Sequence, residues 1–106
     1  MGAFRLIIAL FPLGNSLFAQ GVNGGDVFAE YCAPCHGADG KARTPAGKKL
    51  GAKDLSESKL PDAEIEKQIL AGKKDERGSD RMPAFQGRLK ESEVAALVVF
   101  VKTFRR

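Results

Sequence analysis

The 106-residue sequence has no tryptophan, one tyrosine, one histidine and two cysteines. Two thiols and one imidazole cannot by themselves complete the four ligands of a structural zinc site, so a carboxylate or an outside group would have to join them. No stretch approaches the ~20 consecutive apolar residues of a membrane-spanning helix. No segment alternates as a half-buried strand does, and no internal repeat or low-complexity tract is visible. Charge is not lopsided either: 17 lysines and arginines face 13 acids. That mild excess is too small to argue for a nucleic-acid partner.

What is present is unevenly placed. The opening stretch, MGAFRLIIALFPLGNSLFAQ, carries a lone cation at Arg5, an apolar run from Leu6 to Leu13 and small-residue cleavage options around Ala19 to Gly21. That is the order of a signal peptide, and Pro12, Gly14, Asn15 and Ser16 interrupt the run. Residues 1–20 are therefore expected to be removed, leaving 21–106 as one exported domain with no membrane insertion. A domain of roughly 85 residues builds only a marginal core from apolar side chains alone, so something besides protein is expected inside it.

The spacing of apolar residues predicts an all-α domain with three main helices. The first is expected from Asp26, as N-cap behind Gly24 and Gly25, through Cys35. The second runs from Pro61 to Ala71, with Ile65 and Ile69 on one face and Gly72 as its stop. The third, from Glu91 to Phe104, has the strongest pattern: Val94, Leu97, Val98, Val101 and Phe104 form one stripe, which Phe100 widens. Its acids lie at the start and its bases at the end, as the helix dipole prefers, but Lys90 stands where a Ser or Thr cap is usual, and Ser92 is the substitute if the helix starts later. The intervening stretches, Gly37 to Ser58 and Lys73 to Leu89, are long loops for so small a domain. They make sense if they wrap around a bound group.

Both cysteines and the histidine fall within YCAPCHG, residues 31 to 37. On a helix, Cys32, Cys35 and His36 project from nearly one face, and C-x-x-C-H is the attachment pattern for c-type haem. Each thiol adds to a vinyl group and the imidazole of His36 reaches the iron. A thioredoxin-like site would want a neighbouring strand, and a plain disulfide would leave His36 without a role. With no second histidine, Met82 in SDRMPAF is the candidate for the opposite axial position once Met1 is removed. Its neighbours Asp80, Arg81 and Pro83 make an ordinary helical core position for that thioether a poor alternative.

On these residues the stretch from Gly24 to Phe104 resembles a class I monohaem c-type cytochrome of the small bacterial kind. The resemblance rests on Cys32-Ala33-Pro34-Cys35-His36-Gly37, on Met82-Pro83 and on the aromatic-bearing last helix. It implies the cytochrome c fold wrapped around one covalently attached haem c. It also implies a crossing of first and last helices through Gly24 and Phe28 against Leu97 and Phe100. In such proteins a proline carbonyl beyond the haem motif accepts a hydrogen bond from the proximal imidazole, which assigns that part to Pro45 in TPAG. The missing tryptophan departs from relatives that use one at a haem propionate.

An iron ligated by His36 and Met82 has no open position for substrate. The expected function is therefore one-electron carriage between a reductase and an oxidase, without enzymatic activity, by a monomer in the periplasm. Tyr31 is placed to pack beside the haem or in the core. Lys41, Arg43, Lys48, Lys49 and Lys53 form an acid-free segment suited to acidic docking patches on redox partners, or simply to a solvated loop. Two other functions remain in view: a gas sensor or peroxidase-like site if Met82 dissociates, and an electron-transfer subunit of a larger oxidoreductase.

Overall fold

In the computed structural model, which describes residues 21–106, the first helix begins earlier than its propensities suggest. The side chain of Asn23 accepts from the Asp26 N–H at 3.0 Å and caps α1, Gly24–Tyr31. Asp26 thus lies in the first turn, where its charge favours the dipole, instead of capping. The helix also breaks at Cys32, and a second short helix, α2 (Ala33–His36), starts there with Pro34 in its first turn. The expected single helix from Asp26 to Cys35 is therefore two. The expected signal peptide lies outside the described residues.

The two long loops carry structure of their own. Thr44 accepts from the Gly47 N–H at 2.9 Å and caps α3, Pro45–Leu50. Asp54 caps a 3₁₀ turn, Leu55–Glu57, by accepting from both the N–H and the hydroxyl of Ser56. Pro61 stands as N-cap of α4, Asp62–Ala71, and Gly72 ends it. A small antiparallel hairpin follows, β1 (Lys73–Lys74) paired with β2 (Asp80–Met82). The Asp75 carboxylate closes its turn by accepting from Arg77 and Ser79 N–H groups at 2.8 and 2.9 Å. Among the described residues every other regular element is helical. The last helix, α5 (Glu91–Lys102), has Lys90 as N-cap, and the Glu93 carboxylate accepts the Lys90 N–H at 2.8 Å. That carboxylate ties the N-cap backbone to the first turn, while Lys90 itself offers no acceptor; the helix starts at Glu91, so Ser92 lies inside it and is not its cap. Phe104 lies in the turn beyond the helix.

The core joins α1, α4, α5 and the segment before α5. Val27 and Phe28, Ile65 and Ile69, Phe85 and Leu89, and Val94, Leu97 and Val98 are all buried in one cluster. The crossing of α1 and α5 is tight: a Cβ on Gly24 would lie 2.5 Å from the Ala96 carbonyl and 2.9 Å from Phe100 Cβ. Glycine costs a helix about 1 kcal/mol against alanine, and here it is retained because the partner backbone leaves no room. Phe28 then meets the rings of Phe100 and Phe104 at 5.3 and 5.1 Å. The helices expected to cross do so.

Candidate functional site

α1 and α5 form one wall of a cavity of about 560 Å³, within the ~300–1,000 Å³ typical of cofactor and small-molecule sites. Its apolar lining includes Phe28, Leu55, Ile65, Ile69, Phe85, Leu97 and Val101. Into the same cavity come Cys32, Cys35, His36 and Met82, from two separate parts of the chain. Tyr31 lines it as well, its ring meeting Phe85 edge-on at 5.9 Å.

The break in the first helix has a use. The N–H groups of Cys35 and His36 both bond the Cys32 carbonyl, and Gly37 ends the short helix with φ near 80°. This keeps Cys32, Cys35 and His36 on successive positions of one turn. Thr44 then ties the motif to α3: its hydroxyl donates to the Cys35 carbonyl at 2.8 Å while accepting from Gly47. Gly47 is buried, and a Cβ there would run into the same Cys35 carbonyl.

The carbonyl on His36 is not that of Pro45. Nδ1 of His36 lies 3.0 Å from the carbonyl oxygen of Lys53, while Pro45 opens α3 as its first helical residue. The loop runs on through α3 and Gly51 before it returns to the histidine, so the acceptor falls eight residues later than expected. A carbonyl can only accept, so the contact selects the tautomer with the proton on Nδ1 and leaves a lone pair on Nε2. Burial lowers the His36 pKa below its ordinary value of 6.5, with the Lys53 carbonyl partly opposing. A neutral ring with Nε2 available is the form a metal ligand requires.

Cys32 and Cys35 are free thiols, both half-buried. Burial, and then the neighbouring Cys35, push the Cys32 thiol up to about 11. It therefore stays protonated at neutral pH, which does not suit the low-pKa thiolate of a redox-exchange site. Among the described residues no three His, Cys, Asp or Glu side chains converge as a metal site of their own. A zinc site is thus unsupported there.

Met82 closes β2 and is half-buried. The Gln68 amide donates to the Gly72 carbonyl at 2.9 Å and lies 3.9 Å from the Met82 sulfur. Gly72 has φ near +68°, and a Cβ on it would sit 2.5 Å from the Met82 carbonyl and 2.7 Å from Pro83 C and Ala84 N. This glycine lets the methionine segment lie against the end of α4. Lys53, Gln68 and Gly72 were not foreseen as parts of the site. Only Gly72 left a sequence signal, as a helix stop, and that signal did not reveal what it stops against.

These residues fit a haem. The cavity is largely apolar, two thiols and an imidazole share one turn at its wall, a thioether lines it from another segment, and Lys53, Lys59, Lys73, Arg81 and Arg105 outnumber Asp54 and Glu57 in its lining. When bound, the group supplies an iron that cycles between ferric and ferrous states.

Residues 19–101 match the family described as cytochrome c oxidase, cbb3-type, subunit III. The chain is similar to cytochrome c6 of Nostoc sp., 39% identical over 98 residues that cover 89% of this chain and 82% of that one. Cytochrome c6 of Anabaena variabilis is 33% identical over 78% of this chain and 90% of its own. Among solved structures, the KustC0563 c-type cytochrome superposes with a TM-score of 0.66 at 31% identity, over 79% of this chain and 99% of that one.

Proposed function

This chain belongs to the c-type cytochrome family, and from that premise we propose that it is a one-electron carrier whose covalently attached haem is held by Cys32 and Cys35 and ligated by His36 and Met82. One observation carries the reading: all four side chains line a single apolar cavity. Lys53 orients the imidazole through its carbonyl, and Gln68 and Gly72 position the thioether. Phe28, Leu97 and Val101 keep water from that wall. With both axial positions filled from the chain, no side chain has a substrate to act on. The residues' work is to hold ligands and exclude solvent.

The partners of such a carrier are redox proteins, and charge argues for acidic ones. Lys48, Lys49 and Lys53 are exposed on α3 and just beyond it, and Lys73 and Arg81 are exposed at the base of the hairpin. Lys53, Lys73 and Arg81 line the cavity, and Arg81 bonds Leu50 of α3, the helix that carries Lys48 and Lys49. The signal-peptide pattern and the haem type together support export to the periplasm, where the carrier acts as a monomer. Among the described residues no helix is long and apolar enough to cross a membrane.

The optical spectrum of the reduced holoprotein, recorded before and after carbon monoxide is added, tests this reading. An unchanged spectrum is expected, because Met82 holds the sixth position. A shifted spectrum overturns the carrier reading in favour of a site that opens to small ligands.

A further inference from the structure

Arg81 immediately precedes Met82 in β2, and its Nε donates to the carbonyl of Leu50 at 3.0 Å. Leu50 is the last residue of α3. Carbonyls at a helix end lack intrahelical partners, and the negative end of the helix favours a cation. The next residue, Gly51, has φ near +70°, and a Cβ on it would run into the Arg81 guanidinium. The guanidinium thus occupies space that only glycine leaves open. Two residues further on is Lys53, whose carbonyl meets Nδ1 of His36.

One side chain therefore links the strand that carries Met82 to the short segment that orients His36. The two lie in different loops, and no backbone hydrogen bond between Leu50–Lys53 and Asp80–Met82 joins them among the described residues. Arg81 is exposed, yet none of the ion pairs of the described residues includes it. Its polar contact is to the helix end, which is how a clamp behaves and not how a solubility charge behaves.

We propose that Arg81 is a positioning residue that clamps the Met82 strand onto the His36-orienting segment, so that both axial ligands are carried by one connected unit. The inference rests on the His36/Met82 ligation proposed above. Arg81 touches neither ligand atom; it acts through the backbone of Met82 on one side and of Leu50 to Lys53 on the other. Freed of it, the hairpin moves independently of α3 and the thioether leaves more often.

The test compares ferric and ferrous holoprotein of the wild type, Arg81→Ala, Arg81→Lys and Gly51→Ala. Two readouts are followed: the sulfur-to-iron charge-transfer band of the ferric form and carbon monoxide uptake by the ferrous form. Arg81→Ala is expected to weaken the band and to raise about tenfold the fraction of ferrous protein that takes up carbon monoxide, a fraction too small in the wild type to shift its spectrum; that is the scale of one hydrogen bond from a charged donor. Arg81→Lys keeps the charge but not the planar Nε donor and recovers only part of the effect. Gly51→Ala disturbs the same contact from the opposite side and gives the same change, and the double variant adds little to either. A wild type that shows the band, together with Arg81→Ala and Gly51→Ala variants that match it in band and carbon monoxide response, overturns the clamp. So does a loss of thermal stability alone with both readouts unmoved. A wild type without the band overturns the ligation reading itself, and the clamp falls with it.

Discussion

The side-chain nitrogen of Gln68 lies 3.9 Å from the sulfur of Met82. It is a long contact, but it points the positive end of an amide dipole at the atom proposed to ligate the iron. Such a dipole draws electron density from the thioether and favours the reduced state. Gln68→Leu is expected to lower the reduction potential by an amount on the order of tens of millivolts, measured by potentiometric titration. An unchanged or higher potential would show that the amide does not reach the sulfur electronically.

Gly72 separates the end of α4 from the methionine segment, and a Cβ on it would meet three backbone atoms of Met82, Pro83 and Ala84 within 2.7 Å. Backbone cannot swing aside as a flexible side chain does. Gly72→Ala is expected to cost about 1–3 kcal/mol, from left-handed strain and overpacking together, and to reduce the ferric sulfur-to-iron band. Denaturant titration and the optical spectrum measure the two effects. A stable variant with full band intensity contradicts the packing described.

Leu97 has no exposed surface, and Val99 on the same helix is 65% exposed. Leu97→Ala should therefore destabilise the holoprotein by about 2–5 kcal/mol, while Val99→Ala should stay within about 0.5 kcal/mol of the wild type. Guanidinium unfolding of the pair checks both. Equal costs would mean that α5 presents a different face to the core.

Lys48 and Lys49 are exposed in the last turn of α3, and the residues that follow them, Leu50 and Gly51, line the cavity. If they steer an acidic redox partner, replacing both with glutamine should slow bimolecular reduction by that partner and flatten its dependence on ionic strength. Stopped-flow kinetics across a salt series gives the answer. Unchanged rates at low salt would remove these residues from the docking surface.

Asp54 accepts from both the N–H and the hydroxyl of Ser56, and these bonds hold its carboxyl below its ordinary value of 3.8. A depressed carboxylate contributes stability that is fully present above the unfolded value and is lost as pH falls through the folded one. The wild type should therefore lose stability in acid below about pH 4 more steeply than Asp54→Ala, with no such difference near neutrality. Thermal melts of both proteins at a series of pH values test this. Parallel acid profiles would mean that the cap carries no pH-dependent stability.

The residues that line the cavity were easier to find in the sequence than those that support them. The stripe along α5 identified Val94, Leu97 and Val98, all buried, because a period of 3.6 is imposed by the helix itself. The start of α1 was misread because Gly24 and Gly25 look like punctuation; the resemblance alone pointed Gly24 at the crossing, and the close approach from Ala96 and Phe100, more than seventy positions away, is what makes glycine the right residue inside that helix. The acceptor on His36 left no mark at all. Every residue has a carbonyl, so only the path of the loop through α3 decides that it is Lys53 and not Pro45. The hairpin was missed for a similar reason: its strands are nearly all exposed and carry no alternation, and it is held by the Asp75 turn and a Lys74–Asp80 ion pair of 2.6 Å.

The crossing of α1 and α5 also bears on the order of assembly. Gly24 and Ala96 are separated by roughly seventy residues, a span whose closure carries an entropic cost before any contact compensates it. During synthesis the attachment motif emerges long before α5 exists, so Phe28 waits without its ring partners Phe100 and Phe104. For that interval Cys32, Cys35 and His36 lie on a nascent segment that has not yet gained its opposite wall. Open access to the thiols and closure of the pocket over them are thus separated in time by the direction in which the chain is made.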